Sequence, residues 1–242
     1  MKLENIFKGI IWDLDGTLYD PFVPGLEALE TCFQKACEKG IITGERKQRL
    51  MRRINGEPLY SYRFWKKIYE EDSKLKGGEE FPLSLVFKKA WFDESEWSED
   101  TCKYLERVWQ KGFYSGIFPF PWVHTTMNRL EEKGAAMGII SDSPVRFGEL
   151  KLRALELEGY FSPQNIIWTK ETGRKKPDKQ PFLRMCNLLG AYPYEILVIG
   201  DVYHKDGIGA RNAGMSYLPL TYKTDTNFFL EQLWRFMEDN AI

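Results

Sequence analysis

No stretch of this 242-residue chain approaches the roughly 20 consecutive apolar residues that a membrane-spanning helix needs. Nor is there an excess of charge of either sign: 34 Lys and Arg stand against 35 Asp and Glu, for a net charge of −1. That balance argues against broad electrostatic capture of nucleic acid or of an anionic membrane surface. It leaves room for a small anion, which a few local charges can hold. Cysteine is sparse: Cys32, Cys37, Cys102 and Cys186 form no Cys-x-x-Cys pair and have no His at zinc spacing, which reads as reduced thiols. Internal repeats and low-complexity tracts are missing as well. The opening Met1-Lys2-Leu3-Glu4-Asn5 carries an acidic residue and no apolar run, so it does not read as a signal peptide. The expected location is cytoplasmic.

What is present is ordinary for a globular protein, with 43% hydrophobic and 29% charged residues. The length suits one large domain, or one domain carrying an insert. Phe7 to Trp12 is short, apolar and β-rich, and it stops at Asp-Leu-Asp-Gly-Thr, as a buried strand running into a polar loop does. Ala135–Ser141, Asn165–Thr169, Ile196–Asp201 and Met215–Leu220 look similar. Helical patterns lie between them at His124–Lys133, Phe147–Leu157, Gln180–Leu189 and Gly207–Ala213, and a last one at Asn227–Asp239. Strands alternating with helices predict an α/β fold with a parallel sheet covered on both faces. Such sheets carry their sites at the carboxyl ends of the strands.

The first strand breaks this rhythm. About a hundred residues follow it with no convincing strand. They read instead as helices at Leu26–Lys39, Glu45–Arg53, Leu59–Glu71, Pro82–Trp91 and Glu99–Lys111, punctuated by Gly40, Gly56 and Gly77-Gly78. This predicts a helical insert over residues 21–116 in a core made of residues 1–20 and 117–242. The insert's aromatics, among them Tyr60, Tyr62, Phe64, Trp65, Trp91, Phe92 and Trp97, are expected in its core or against the larger domain rather than on a substrate.

Phosphoryl transfer needs a nucleophile, neutralisation of the phosphoryl oxygens and delivery of a proton to the leaving group. Asp13 and Asp15 stand two apart where the first strand ends, so one carboxylate can attack phosphorus while the other carries the proton. Gly16 permits an unusual backbone, and Thr17 offers a hydroxyl and an amide to a phosphate oxygen. Asp201 ends another apolar strand, and Asp206 follows before a helix. A hard cation such as Mg²⁺ takes oxygen ligands, and Asp13, Asp201 and a backbone carbonyl would serve it. Ser141 ends a third strand, with a hydroxyl and nearby amides that can donate to phosphate. Lys176, held before Pro177, can cancel charge on nucleophile and phosphoryl group alike.

Asp13-Leu14-Asp15-Gly16-Thr17, then Ser141, then Lys176-Pro177-Asp178, then Gly200-Asp201 with Asp206 resembles the four ordered motifs of the haloacid dehalogenase-like superfamily. Gly209–Met215 resembles the segment that follows the acidic motif. The likeness covers nearly the whole chain outside the insert. It implies a Rossmann-like core, Mg²⁺ and an aspartyl-phosphate intermediate. By that match Asp13 is the nucleophile and Asp15 the acid/base. Ser141 and Lys176 bind phosphate, Asp201 and the Asp15 main-chain carbonyl bind metal, and Asp206 supports the metal shell through water. The acid at Asp15 favours phosphate ester hydrolysis over dehalogenation. The insert's place resembles the helical-cap subgroup, whose caps close over small substrates. The expected partner is therefore a small phosphorylated metabolite, without nucleic acid or membrane. Neither the substrate nor the oligomeric state is written in these motifs.

Two other readings go with this one. A sugar phosphomutase shares the aspartyl-phosphate chemistry and differs in where the phosphoryl group goes next. A non-catalytic binding module would typically lack one of the two carboxylates, and both are present. The chain also departs from the family at two points. Asp142 adds a negative charge beside Ser141, where many members have Asn; it either binds substrate hydroxyls or faces away. Val202-Tyr203-His204-Lys205 is bulkier than usual for that loop, so that His204 or Lys205 touches either substrate or solvent. Arg52, Arg53 and Arg63 are expected at the surface, Tyr19 and Asp20 near the cleft or in hinge packing, and His124 at a helix start. Lys175 is the alternative to Lys176 as the cationic ligand.

Overall fold

The computed structural model describes residues 7–72, 83–92, 97–221 and 224–238. By Cα packing the chain divides into two compact units, Pro21–Ile117 and the remainder on either side of it.

Strand β1 (Gly9–Trp12) is buried at every position, as Ile, Ile and Trp in a strand covered on both faces should be. The chain then enters the second unit through α1 (Phe22–Glu38) and α2 (Gly44–Met51). A short hairpin follows, β2 (Arg53–Ile54) and β3 (Glu57–Pro58), paired antiparallel with Ile54 opposite Glu57. Helices α3 (Leu59–Asp72), α4 (Leu83–Trp91) and α5 (Glu99–Gly116) complete the unit. The hairpin corrects the expectation of a strand-free insert. Asn55-Gly56 is a strong hairpin turn signal, but two residues on each side give no alternation to read. It also ends the second insert helix at Met51 instead of Arg53. The Gly77-Gly78 pair lies outside the described residues.

This unit is held by rings. Phe33 stacks on Tyr60 at 4.3 Å between centroids, Phe87 meets Trp91 edge-on at 5.0 Å, and Phe64 lies 4.8 Å from Phe87. Offset and edge-to-face pairs of this kind add to the area they bury. Ser98 caps α5, its hydroxyl accepting from the Thr101 amide at 3.1 Å.

The first unit resumes with α6 (Val123–Glu132), β4 (Ala136–Ser141), α7 (Val145–Ala154) and β5 (Ile166–Trp168). Then come α8 (Thr169–Thr172), α9 (Lys179–Leu189), β6 (Ile196–Gly200), α10 (Asp206–Ala213), β7 (Ser216–Pro219) and α11 (Thr226–Glu238). The five strands form one sheet in the order β5-β4-β1-β6-β7, every pair parallel. This is the expected α/β core, a Rossmann-like parallel sheet interrupted after its first strand by a helical domain. The third strand is shorter than predicted, because Asn165 closes a 3₁₀ turn and Thr169 opens α8.

The register sets the site. Trp12 is opposite Ile139 on one side and Ile199 on the other. Ser141 and Asp201 each lie two residues beyond those partners, and Asp13 lies one residue beyond Trp12. Three strand ends are thereby brought to the same edge of the sheet, with β1 in the middle. Beneath them Ile11, Ile140, Val198, Phe182, Met185 and Ala210 form a buried cluster. Among the described residues no helix is long and apolar enough to cross a membrane.

Phe182 is fully buried in that cluster. Phe182→Ala is expected to cost about 3–5 kcal/mol of stability through lost transfer energy and the cavity left behind, read from the shift of the urea unfolding midpoint.

Candidate active site

At the carboxyl edge of the sheet, one oxygen each from Asp13, Asp201 and Asp206 lie within 4.8 Å of one another. Asp13 continues β1, its amide donating to the Ile199 carbonyl at 2.9 Å. Asp201 follows β6 directly, and Asp206 opens α10. Lys176 reaches into this group from the loop ahead of α9. Its ammonium donates to Asp13 Oδ1 at 2.5 Å and to Asp206 Oδ1 at 2.6 Å, and its side chain is only 3% exposed.

A lysine bridging two buried carboxylates offsets much of the cost of desolvating all three. Burial still pushes the Asp13 carboxyl up to about 7, against the pull of Lys176 and with a further push from Asp206. Burial alone would lower the Lys176 ammonium, but Asp13, Asp206 and Asp142 hold it well above the usual lysine range. Asp201 is also raised, by burial and then by Asp206.

The residues fit a divalent cation. Asp201 Oδ1 is buried and has no hydrogen-bond partner, the condition of a carboxylate oxygen that a metal would satisfy. Two glycines keep the space open. A Cβ on Gly16 would stand 2.4 Å from Asp201 Oδ2, and Gly16 has φ of +84°, where side chains are strained. A Cβ on Gly200 would stand 2.5 Å from Asp206 Cγ.

Of the remaining sequence candidates, Thr17 contacts Asp13 itself. It is fully buried and its hydroxyl donates to Asp13 Oδ2 at 3.1 Å. The loop turns so tightly after β1 that the Thr17 amide bonds back to the Leu14 carbonyl at 3.4 Å, which aims the side chain at the carboxylate. Ser141 is buried beside this group, and its Oγ accepts from the Ser143 amide at 3.1 Å. Asp206 Oδ2 accepts from the Val202 amide at 3.2 Å. Lys176 rather than Lys175 carries the cation to Asp13.

Asp15 lies beside the cluster in a network of its own. It accepts from Tyr19, from Ser143 Oγ at 2.8 Å and from Lys151 Nζ at 2.6 Å. Burial would raise its carboxyl, but Lys151 and the other donors hold it below the usual carboxylate range. Tyr19 was flagged near the cleft; Ser143 and Lys151 were missed. Lys151 follows Phe147 by four residues, on the same helix face, and a lysine at a core-facing position was the available signal.

The two departures from the family pattern meet each other. Asp142 accepts from Thr169 Oγ1 at 2.6 Å and from the Lys176 amide at 3.4 Å, and pairs with Lys205 Nζ at 3.1 Å. Its carboxylate is thus occupied within the protein. His204 is exposed. His124 meets the Tyr160 hydroxyl at 3.3 Å, and Arg53 donates to the Gly56 carbonyl at 2.8 Å within the hairpin.

This arrangement has relatives. Residues 7–214 match the family model of a haloacid dehalogenase-like hydrolase. A phosphoglycolate phosphatase from Salmonella typhi is 30% identical over 226 residues, which is 91% of this chain and 83% of that protein. In fold the chain is similar to a HAD phosphatase from Thermococcus onnurineus, with a TM-score of 0.66 at 20% identity over 98% of this chain and 100% of that one. It is also similar to a 2-haloacid dehalogenase from Pseudomonas syringae pv. Tomato DC3000, with a TM-score of 0.60 at 19% identity over 94% and 99%. From the match across both halves of the sheet and the insert between them, the chain belongs to the haloacid dehalogenase-like hydrolase family.

Proposed function

We propose that this hydrolase is a Mg²⁺-dependent phosphatase, a phosphoric monoester hydrolase that cleaves a small organic phosphate through an aspartyl-phosphate on Asp13. The observation that carries the reading is the convergence of Asp13, Asp201 and Asp206, with Asp13 and Asp206 bridged by the Lys176 ammonium. The 30% identity to a phosphoglycolate phosphatase supports a small phosphorylated organic acid as substrate. A cytoplasmic location belongs to the same reading.

A carboxylate oxygen of Asp13 attacks phosphorus, and the ester P–O bond breaks. The anionic substrate opposes Lys151 and favours the protonated form of Asp15, which gives its proton to the departing oxygen and then takes one from the water that attacks the phosphorylated Asp13. Free phosphate leaves and Asp13 is restored. Lys176 and Ser141 receive the phosphoryl oxygens, while Thr17 orients Asp13. Mg²⁺, held by Asp13, Asp201 and the Asp15 carbonyl with Asp206 in support, would screen the anionic substrate from the carboxylates.

Purified protein with Mg²⁺ is expected to release phosphate from 2-phosphoglycolate or another member of a panel of phosphorylated metabolites, and chelation with EDTA to stop it. Asp13→Asn is expected to abolish turnover. Full activity in that variant refutes the assignment, and an isomerised sugar phosphate in place of free phosphate points to a mutase. Lys176→Met leaves Asp13 and Asp206 buried without their shared cation. In chelator-treated protein it is expected to cost about 3 kcal/mol of stability at neutral pH, measured by denaturant unfolding.

A further inference from the structure

The Asp15 carboxylate is held at both oxygens. Lys151 Nζ and the Tyr19 hydroxyl donate to Oδ1, and Ser143 Oγ donates to Oδ2. Lys151 also donates to Ser143 Oγ at 2.8 Å, closing a ring that runs from one carboxylate oxygen to the other. Lys151 comes from α7 and Ser143 from the loop ahead of it, so a single segment supplies two of the three donors. The Lys151 side chain is 12% exposed against 33% for Asp15, which shields the contact more than a surface pair.

The terminal torsion of an aspartate is broad, so hydrogen bonds must set the orientation of its oxygens. An ionised carboxylate offers about four lone-pair sites. Lys151 and Tyr19 fill two on Oδ1, and Ser143 fills one on Oδ2. Within this set of contacts a single site remains, on Oδ2.

We propose that Lys151 is a positioning residue that occupies Oδ1 of Asp15 and leaves Oδ2 as the one oxygen that exchanges protons during the reaction. The inference rests on the phosphatase reading, in which Asp15 carries the proton. In the first half the proton passes from Oδ2 to the ester oxygen as the P–O bond breaks. In the second it passes from water to Oδ2 as the water oxygen bonds phosphorus and the Asp13–phosphorus bond breaks. Without the ammonium Oδ1 keeps only the Tyr19 contact and Ser143 loses its own link to Lys151, so the carboxylate is held less firmly and productive encounters at both steps become rarer.

The test uses two aryl phosphates of similar shape with Mg²⁺ and the full chain. Phenolate, with a conjugate acid near 10 like that of tyrosine, needs a proton to leave; p-nitrophenolate does not. For Lys151→Met, kcat on phenyl phosphate is expected to fall about ten- to a hundredfold, part of what a general acid contributes, with KM within about twofold of wild type. On p-nitrophenyl phosphate the first-turnover release of nitrophenolate keeps its wild-type rate while steady turnover falls, because hydrolysis of the phosphorylated enzyme still needs Asp15. Lys151→Arg restores part of kcat. Wild-type kcat on phenyl phosphate in Lys151→Met overturns the proposal. An equal loss in the first turnover of p-nitrophenyl phosphate overturns it too, since that marks general damage to the site. Should Lys151→Met melt below the assay temperature, Lys151→Gln takes its place under the same criteria. Asp13→Asn run alongside separates the two ideas: activity retained there overturns the phosphatase reading. Activity lost there, with Lys151→Met at the wild-type level, overturns only the positioning role.

Discussion

Three carboxylates converging in a partly dry pocket repel one another, and the Lys176 ammonium is the counter-charge that permits it. It contacts two of them directly, at 2.5 and 2.6 Å. The rest of the site is arranged around that bridge. Thr17 holds the other oxygen of Asp13, the Val202 amide holds the other oxygen of Asp206, and Gly16 and Gly200 leave the carboxylates room. Asp201 keeps one oxygen without a protein partner. The cluster is therefore neutralised on the side of Lys176 and left short of positive charge on the side of Asp201, where a cation would complete the balance.

The same economy governs Asp15. It lies two residues from Asp13 in sequence, yet it faces a different set of donors because the chain leaves the strand at Asp13. One carboxylate answers to Lys176 and the other to Lys151, and their properties diverge: burial raises Asp13, whereas Lys151 outweighs burial at Asp15. Two chemically identical groups thus titrate differently because their surroundings differ.

Much of this was legible from the residues. Strands β1, β4 and β6 announce themselves as short apolar runs that stop at Asp13, Ser141 and Asp201, because burial on both faces leaves no alternation and the polar edge is abrupt. Side-chain partners were less legible, since they depend on tertiary distance. Thr17 sits where its hydroxyl could serve phosphate, and only the tight turn after β1 directs it to Asp13. Lys151 is one lysine among many in a helical pattern, and its meaning comes from Asp15, 136 residues away in sequence. Asp142 and Lys205 each looked like a departure. Their pairing at 3.1 Å makes them one compensated feature, which separate positions in a sequence do not reveal.

Around the helical insert, Tyr19 forms an antiparallel bridge with Pro119, and the Phe120 amide donates to the Leu18 carbonyl at 3.0 Å. The backbone that departs and the backbone that returns are stitched together within the first unit, just outside the insert. For an excursion closed at its neck in this way, the entropic cost of closure rises only slowly with its length. The residues of the first unit and those of the excursion can then diverge at different rates, because the closed neck lets either change length or composition without moving the other's backbone ends.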